Sequence, residues 1–114
     1  MTVTTFDAAA VQQVLDEAAR AAQDATREFL NKNGDRDCCG FAWVTVYDVR
    51  SNSKLGKALA EVGFKKSYTG GLQLWNPSGH PTQCITAKEE GADAYAAVLK
   101  SKLGLKAYGG SRMD

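Results

Sequence analysis

The chain of 114 residues has no long apolar run, no excess of charge of one sign, and only one histidine and two prolines. Lysine and arginine total 14 and aspartate and glutamate total 13. This balance argues against a general binder of nucleic-acid polymers or membrane surfaces, because such binding rests on many basic contacts. A locally basic pocket for one small anion stays compatible with it.

Targeting and membrane signals are also missing from the sequence. No apolar run approaches the ~20 residues that a membrane span needs. The N-terminal stretch MTVTTFDAAAVQQ has neither the basic region nor the apolar region of a signal peptide. We therefore expect one soluble intracellular domain over residues 1–114.

Cysteines are few and unevenly placed, with Cys38 and Cys39 adjacent and Cys84 alone. An odd number with an adjacent pair favours reduced thiols in a cytoplasm over a disulfide framework. Together with His80 they could in principle form a zinc site, but the spacing fits no common pattern. We expect Cys39 to be a small core residue, His80 to lie on a solvated loop, and no metal or cofactor to be held.

Periodicity predicts an α+β domain in the order αβαββαβ, with a long N-terminal helix, a small mostly antiparallel sheet and two further helices. The last helix is expected to begin with a capping box at TAKE, residues 86–89, and to end at Gly104. The expected helices span residues 5–32, about 54–62 and 86–102, and the expected strands span 38–49, 64–68, 72–75 and 105–108.

The first helix is long and rich in alanine. About 28 helical residues span roughly 40 Å, whereas a compact domain of this size is about 35 Å across. We therefore expect this helix to cross or overhang the domain, and its small residues to be covered by a second chain in a homo-oligomer. The alternative is a helix that breaks near Gln23 and Asp24.

The first strand is apolar on both faces, which is typical of a central strand that is covered on both sides. One face carries Phe41, Trp43 and Tyr47, and the other carries alanine and valine. The strand after the Gly70–Gly71 turn differs, because Gln73 and Trp75 share a face opposite two leucines.

An aromatic ring beside polar residues suits the stacking of a base, so Trp75, with Asn76 and Gln83 nearby, is a candidate platform. Tyr108, at the end of the last expected strand, is a further candidate ligand-binding residue. The alternative for Trp75 is burial in a contact between subunits. Arg112 follows two glycines in GGSR, which would give it flexible reach toward an anion, unless that tail is simply disordered.

A second candidate lies where the short helix begins, at Arg50, Ser51, Asn52, Ser53 and Lys54. Exposed backbone N–H groups at a helix start attract anions, and Arg50, Lys54, Lys57 and two hydroxyls flank them here. The alternative is an ordinary helix cap with solvated basic neighbours. Nothing in the segment resembles a P-loop.

Several segments together resemble a known family: CGFAWV (39–44), RSNSKLGKAL (50–59), SYTGGLQLWNPS (67–78) and AYGGSR (107–112), after a long helix with Arg20 and Arg27. They are similar to the Thoeris anti-defence sponge proteins of phages. The resemblance implies a non-catalytic protein in the cytoplasm of an infected bacterial host. It implies a symmetric oligomer, from a dimer up to a hexamer, that holds cyclic ADP-ribose isomers, and in some members cyclic di- or trinucleotides, intact at subunit interfaces. It also adds Arg20 and Arg27 to the candidate ligand-binding residues.

Three other functions stay open. A small phage inhibitor of a host protein, such as a nuclease or a CRISPR effector, would need an exposed apolar or acidic patch, and the sequence has no acidic run. An enzyme acting on a nucleotide would need an acid–base pair or metal carboxylates, whereas Glu89 and Glu90 fit a helix start. The third is a structural oligomer without a ligand.

Overall fold

The computed structural model describes residues 8–34, 39–50, 52–67, 70–80, 82 and 84–113. Within them the αβαββαβ order and the long first helix are confirmed. The helices and strands are α1 (Ala8–Asn33), β1 (Gly40–Tyr47), α2 (Lys54–Glu61), β2 (Lys65–Lys66), β3 (Leu72–Trp75), α3 (Ile85–Leu103) and β4 (Lys106–Met113).

The four strands form one antiparallel sheet in the order β2-β3-β1-β4. Helix α3 packs directly on β1 and β4, and α1 packs along α3 and contacts α2. Helix α3 therefore covers one face of the sheet, and Val11 and Leu15 of α1 join the same hydrophobic core. No helix in the described segments is both long and apolar enough to cross a membrane.

Helix α1 buries its seam of small residues against its own chain. Ala18, Ala22 and Thr26 are fully buried, and the Thr26 hydroxyl donates a hydrogen bond to the Ala87 carbonyl of α3 at 2.8 Å. A Cβ at Gly91 of α3 would lie 2.5 Å from that hydroxyl oxygen, so the two helices approach closely. The expectation that this seam needs a second chain is therefore wrong, because α3 already covers it.

The length of α1 agrees with the sequence estimate. Its 26 residues at ~1.5 Å each span about 39 Å, and the domain is 43 Å along its longest axis. The helix crosses the domain and continues without a break through Gln23 and Asp24. The caps expected at Thr4 or Thr5 lie outside the described residues.

Strand β1 is central, as expected, but cover on both faces was a wrong prediction. Ala42, Val44 and Val46 are buried beneath the helices, whereas Phe41 and Tyr47 on the other face are 37% and 38% exposed. The described helices all lie on one side of the sheet, so the second apolar face of β1 is left open.

Helix α3 begins one residue earlier than predicted, and the capping box is wrong. Its N-cap is Cys84, which makes no side-chain cap bond, and Thr86 already lies in the first turn. Cys84 forms an isolated antiparallel bridge with Cys39, and its N–H donates to the Thr82 hydroxyl at 3.1 Å. These contacts set the chain direction before the helix, which then ends at left-handed Gly104 as expected.

Strand β4 is twice as long as predicted and includes the glycines that the sequence suggested were a tail. Residues from Lys106 to Met113 pair with β1 along its whole length. A Cβ at Gly110 would lie 2.5 Å from the Trp43 indole nitrogen, and one at Gly109 would collide with the Asp93 carboxylate. The glycines thus permit close packing, and the expected flexible reach of Arg112 is wrong because its backbone is held in the sheet.

The burial of Tyr95 in the core can be tested by the pH dependence of the protein's stability. Tyr95 is 2% exposed, and burial, with the charge of Asp16 second, raises its pKa from 10.0 to about 12. The fold therefore favours the neutral phenol, and this stabilisation is complete below pH 10 and lost as pH rises toward 12. We expect a loss on the order of 3 kcal/mol across that window, since one pKa unit corresponds to ~1.4 kcal/mol.

The measurement is thermal melting of the wild type and of Tyr95→Phe from about pH 9 to pH 12. Phenylalanine keeps the ring and has no proton to lose, so the variant should lack this part of the alkaline destabilisation. Lysine deprotonation affects both proteins and cancels in the comparison. Parallel pH profiles would contradict the assignment.

Candidate functional site

The sheet surface opposite the helices, which we call the open face, is the candidate site. Alternate residues of a strand point to the same side, and cross-strand partners share that side. The register pairs Trp43 with Trp75, Phe41 with Arg112, and Thr45 with both Gln73 and Tyr108. The open face is therefore formed by Phe41, Trp43, Thr45, Tyr47, Lys65, Gln73, Trp75, Lys106, Tyr108, Gly110 and Arg112.

Three rings form an aromatic cluster at one end of this face. The ring centroids of Trp43 and Trp75 are 4.8 Å apart at 33°, and Phe41 meets Trp75 edge-on at 5.9 Å. Trp43 is half-buried because β4 places Gly110 beneath it, whereas Trp75 is 50% exposed. The cluster therefore holds one indole in place and leaves part of a second one open to a planar ligand.

Two tyrosines lie at the other end of the open face. The rings of Tyr47 and Tyr108 are 6.1 Å apart, and the Lys100 ammonium of α3 reaches within 4.5 Å of the Tyr108 ring centroid. Thr45 and Gln73 pair across the space between the two aromatic groups. Thr45 is buried beneath the neighbouring rings, so the half-buried Gln73 is the side chain of this pair that can offer hydrogen bonds at the surface.

Basic residues border the rings. Arg112 lies opposite Phe41, and Lys65 lies opposite Gln73 at the edge strand. Lys106 is different, because its ammonium pairs with Asp48 at 3.1 Å and this hydrogen bond raises its pKa. Arg112 and Lys65 make no ion pair within the described segments.

A pocket of about 460 Å³ adjoins Trp75 at the β2–β3 edge. Lys65 shares the open face with the indole through its pairing with Gln73, whereas Lys66 pairs with Leu72 of the opposite face, so one basic residue of this pocket lies on the side of Trp75. The pocket is lined by Gly63, Lys65, Lys66, Ser67, Gln73, Leu74 and Trp75.

The structure places three of the predicted ligand-binding residues on the open face, namely Trp75, Tyr108 and Arg112. The prediction that Trp75 points away from the main core is confirmed, since Leu72 on the other face is buried. Asn76 adjoins the face, but its side chain organises the following loop by donating to the His80 carbonyl at 3.0 Å and accepting from the Ser78 hydroxyl. Gln83 lies outside the described residues.

The cluster at the start of α2 is not on the open face. Ser53 is an ordinary N-cap, since its hydroxyl oxygen accepts the Gly56 N–H at 3.0 Å and its hydroxyl donates to the Arg50 carbonyl. Asn52 and Lys54 are exposed beside it, and α2 packs against α1 on the helical side. Ser51 lies outside the described residues. The capping function accounts for this segment without a ligand.

The arginines of α1 are also remote from the open face. Arg20 is exposed on α1, and Arg27 pairs with Asp24 on the same helix. Helix α1 packs on α3 and α2, so the sheet lies between these arginines and a ligand on the open face of the same subunit.

The cysteine and histidine predictions are resolved in part. Cys39 is exposed, so its expected place in the core is wrong, while Cys84 is buried. The half-buried His80 accepts the Thr82 N–H at its Nδ1, 3.1 Å away. Cys38 lies outside the described residues, and the described ones contain no group of three or more metal-ligating side chains.

Sequence reasoning missed Phe41, Trp43, Tyr47 and Lys65 as site residues. Period-two alternation did place the first three on one face, so the signal was present. The alternation alone predicts that this face is buried, because a single sequence does not show whether helices cover one side of a sheet or both.

No protein-family model matches the chain, and no curated protein or solved structure matches it.

Proposed function

We propose that this protein is a non-catalytic binding protein that sequesters a cyclic nucleotide immune signal, with the base stacked on the aromatic cluster of the open face. The ligand class is a cyclic ADP-ribose isomer or a cyclic oligonucleotide, as the resemblance to Thoeris anti-defence proteins implies. The corresponding location is the cytoplasm of an infected bacterial host.

One observation carries this proposal: a half-exposed Trp75, backed by Trp43 and Phe41, lies on a face bordered by Arg112 and Lys65. Aromatic rings stack bases at about 1–3 kcal/mol per base. Guanidinium and ammonium groups bind phosphate by charge-assisted hydrogen bonds. A near-neutral chain can therefore bind a nucleotide through a few local contacts.

A homo-oligomer remains part of the proposal, on a different surface from the one first expected. The seam of α1 is covered by α3, whereas the open face exposes Phe41, Tyr47, Trp75 and Tyr108. A ligand on an open sheet is covered from one side only, and a second subunit would exclude water from the other side.

The same surface favours a second candidate function, inhibition of a host protein. Tryptophan, tyrosine and arginine are the residues most enriched in the energetic centres of protein interfaces. The open face presents all three together, with Trp75, Tyr108 and Arg112. A host nuclease or CRISPR effector would be the partner class.

Native mass spectrometry with a panel of cyclic ADP-ribose isomers and cyclic di- and trinucleotides distinguishes these functions. We expect an oligomer that gains the mass of one panel member and releases it chemically intact on denaturation. Release of a cleaved product would indicate an enzyme. A monomer that binds no panel member would remove the sponge proposal and leave the inhibitor.

A further inference from the structure

The two most exposed rings among the described residues of the open face lie on different strands. Trp75 of β3 is 50% exposed and Tyr108 of β4 is 51% exposed. Both strands pair with β1, where Trp75 is the partner of Trp43 and Tyr108 is the partner of Thr45. Cross-strand partners share a side of the sheet, so both rings are presented to a ligand on the same side.

The separation of the two residues follows from this register. Strands β3 and β4 flank β1, so they lie about 9.5 Å apart at ~4.8 Å per strand. Their partners Trp43 and Thr45 are offset by two positions of β1, which adds about 7 Å along the strand. The Cα atoms of Trp75 and Tyr108 are therefore about 12 Å apart. One planar base cannot lie on both rings at that separation, whereas two bases joined through a sugar–phosphate linkage can.

Each of the two rings also has its own aromatic neighbours. Trp75 lies 4.8 Å from the Trp43 ring and 5.9 Å from the Phe41 ring, measured between centroids. Tyr108 lies 6.1 Å from the Tyr47 ring, toward the opposite end of β1. The contacts of the two rings therefore extend in opposite directions, and the face carries two separate stacking platforms.

The charges of the open face suit a ligand that carries phosphate. Its charged residues are basic, with no acid among the described positions of the face: Lys65, Lys106 and Arg112. Asp48 pairs with Lys106 alone. Lys65 lines the pocket beside Trp75, and the Lys100 ammonium of α3 lies 4.5 Å from the Tyr108 ring centroid. Each platform therefore has a basic side chain beside it, although the whole chain has a net charge of only +1.

We propose that the open face binds a ligand with two bases joined by a phosphodiester linkage, one base stacked on Trp75 and the other on Tyr108. The inference rests on the proposed function for the cyclic form of the ligand. It narrows the ligand class from cyclic ADP-ribose isomers, which carry one base, to cyclic oligonucleotides. A linear oligonucleotide contains the same two-base unit, and the experiment separates the two sources.

Titration calorimetry with cyclic di-AMP, the linear dinucleotide pApA and AMP tests the second platform. Tyr108→Val should weaken cyclic di-AMP binding about tenfold, because one stacked base is lost, and should leave the binding of AMP at Trp75 unchanged. Valine keeps a strong preference for a strand. Tyr108→Phe is the matched variant, since it keeps the ring and should retain the affinity. Phe29→Ala is the control, because it removes a ring from α1 and should change neither titration.

Unchanged cyclic di-AMP binding by a folded Tyr108→Val protein would overturn the inference, as would equal losses of cyclic di-AMP and AMP binding. The absence of binding of both dinucleotides by the wild type would overturn it too, since stacking tolerates any base. A loss of the same size in Phe29→Ala would show that the effect is not specific to the open face and would also overturn it. Should Tyr108→Val fail to fold, Tyr108→Leu takes its place, with the same tenfold loss expected.

Two further outcomes separate this inference from the proposed function. Binding of cyclic ADP-ribose that requires Trp75 but not Tyr108, without binding of either dinucleotide, would support sequestration and refute the two-base site. Binding of pApA as tight as that of cyclic di-AMP, with both weakened by Tyr108→Val, would support the two-base site. That second result would refute a protein that selects cyclic signals and would indicate a binder of linear single strands.

Discussion

Replacing Trp75 with alanine is expected to weaken nucleotide binding about tenfold or more while the domain stays folded. Stacking of one base on an aromatic ring contributes about 1–3 kcal/mol, and ~1.4 kcal/mol corresponds to a factor of ten. The side chain is 50% exposed, so its removal should cost less stability than the ~3–5 kcal/mol of a core tryptophan.

The experiment pairs thermal melting of the free protein with titration of the ligand identified by the mass-spectrometric panel. Trp75→Phe is the matched variant, because it keeps an aromatic ring on the open face and should retain more affinity than alanine. Collapse of the fold in Trp75→Ala would make the residue part of the core. Unchanged affinity in a folded Trp75→Ala would exclude the aromatic cluster as the ligand platform.

Deleting residues 109–114 is expected to destabilise the domain severely. The deletion removes the partners of β1 from Gly40 to Val44 and the glycine beneath Trp43. Each ladder hydrogen bond contributes about 0.5–1.5 kcal/mol net, so losing a run of them approaches the ~5–15 kcal/mol by which whole domains are stable. We expect a much lower melting temperature, or no cooperative melting, by circular dichroism.

Arg112→Ala provides the comparison for this deletion. It removes one exposed side chain and leaves β4 paired, so its stability should stay within about 0.5 kcal/mol of the wild type. Its affinity for a phosphate-containing ligand should nevertheless fall. A truncated chain that melts at the wild-type temperature would show that residues 109–113 do not hold the sheet together and would restore the interpretation of these residues as a tail.

The glycines of β4 show how a sequence signal can have two meanings. Consecutive glycines in AYGGSR are typical of a turn or a flexible end, and that is what the sequence predicted. They serve instead as strand positions where Trp43 and Asp93 approach the backbone too closely for a Cβ. The neighbours responsible are 67 and 16 residues away in the chain, so local pattern does not distinguish the two uses.

The order of helices and strands could be predicted from the sequence, because hydrophobic periodicity, helix-ending glycines and turn residues act over a few neighbouring positions. The sequence also determined that Trp75 points away from two leucines, since alternation along a strand is a local property. What covers each face of a helix or strand could not be predicted in this way, because it depends on contacts between distant parts of the chain. Helix α3 covers the small residues of α1 that a second chain was expected to cover, and the described helices all pack on one side of the sheet. Phe41, Trp43 and Tyr47 therefore lie on an open face with Arg112. The apolar pattern of a strand does not determine which of its apolar surfaces is buried, because that depends on packing partners far apart in the chain.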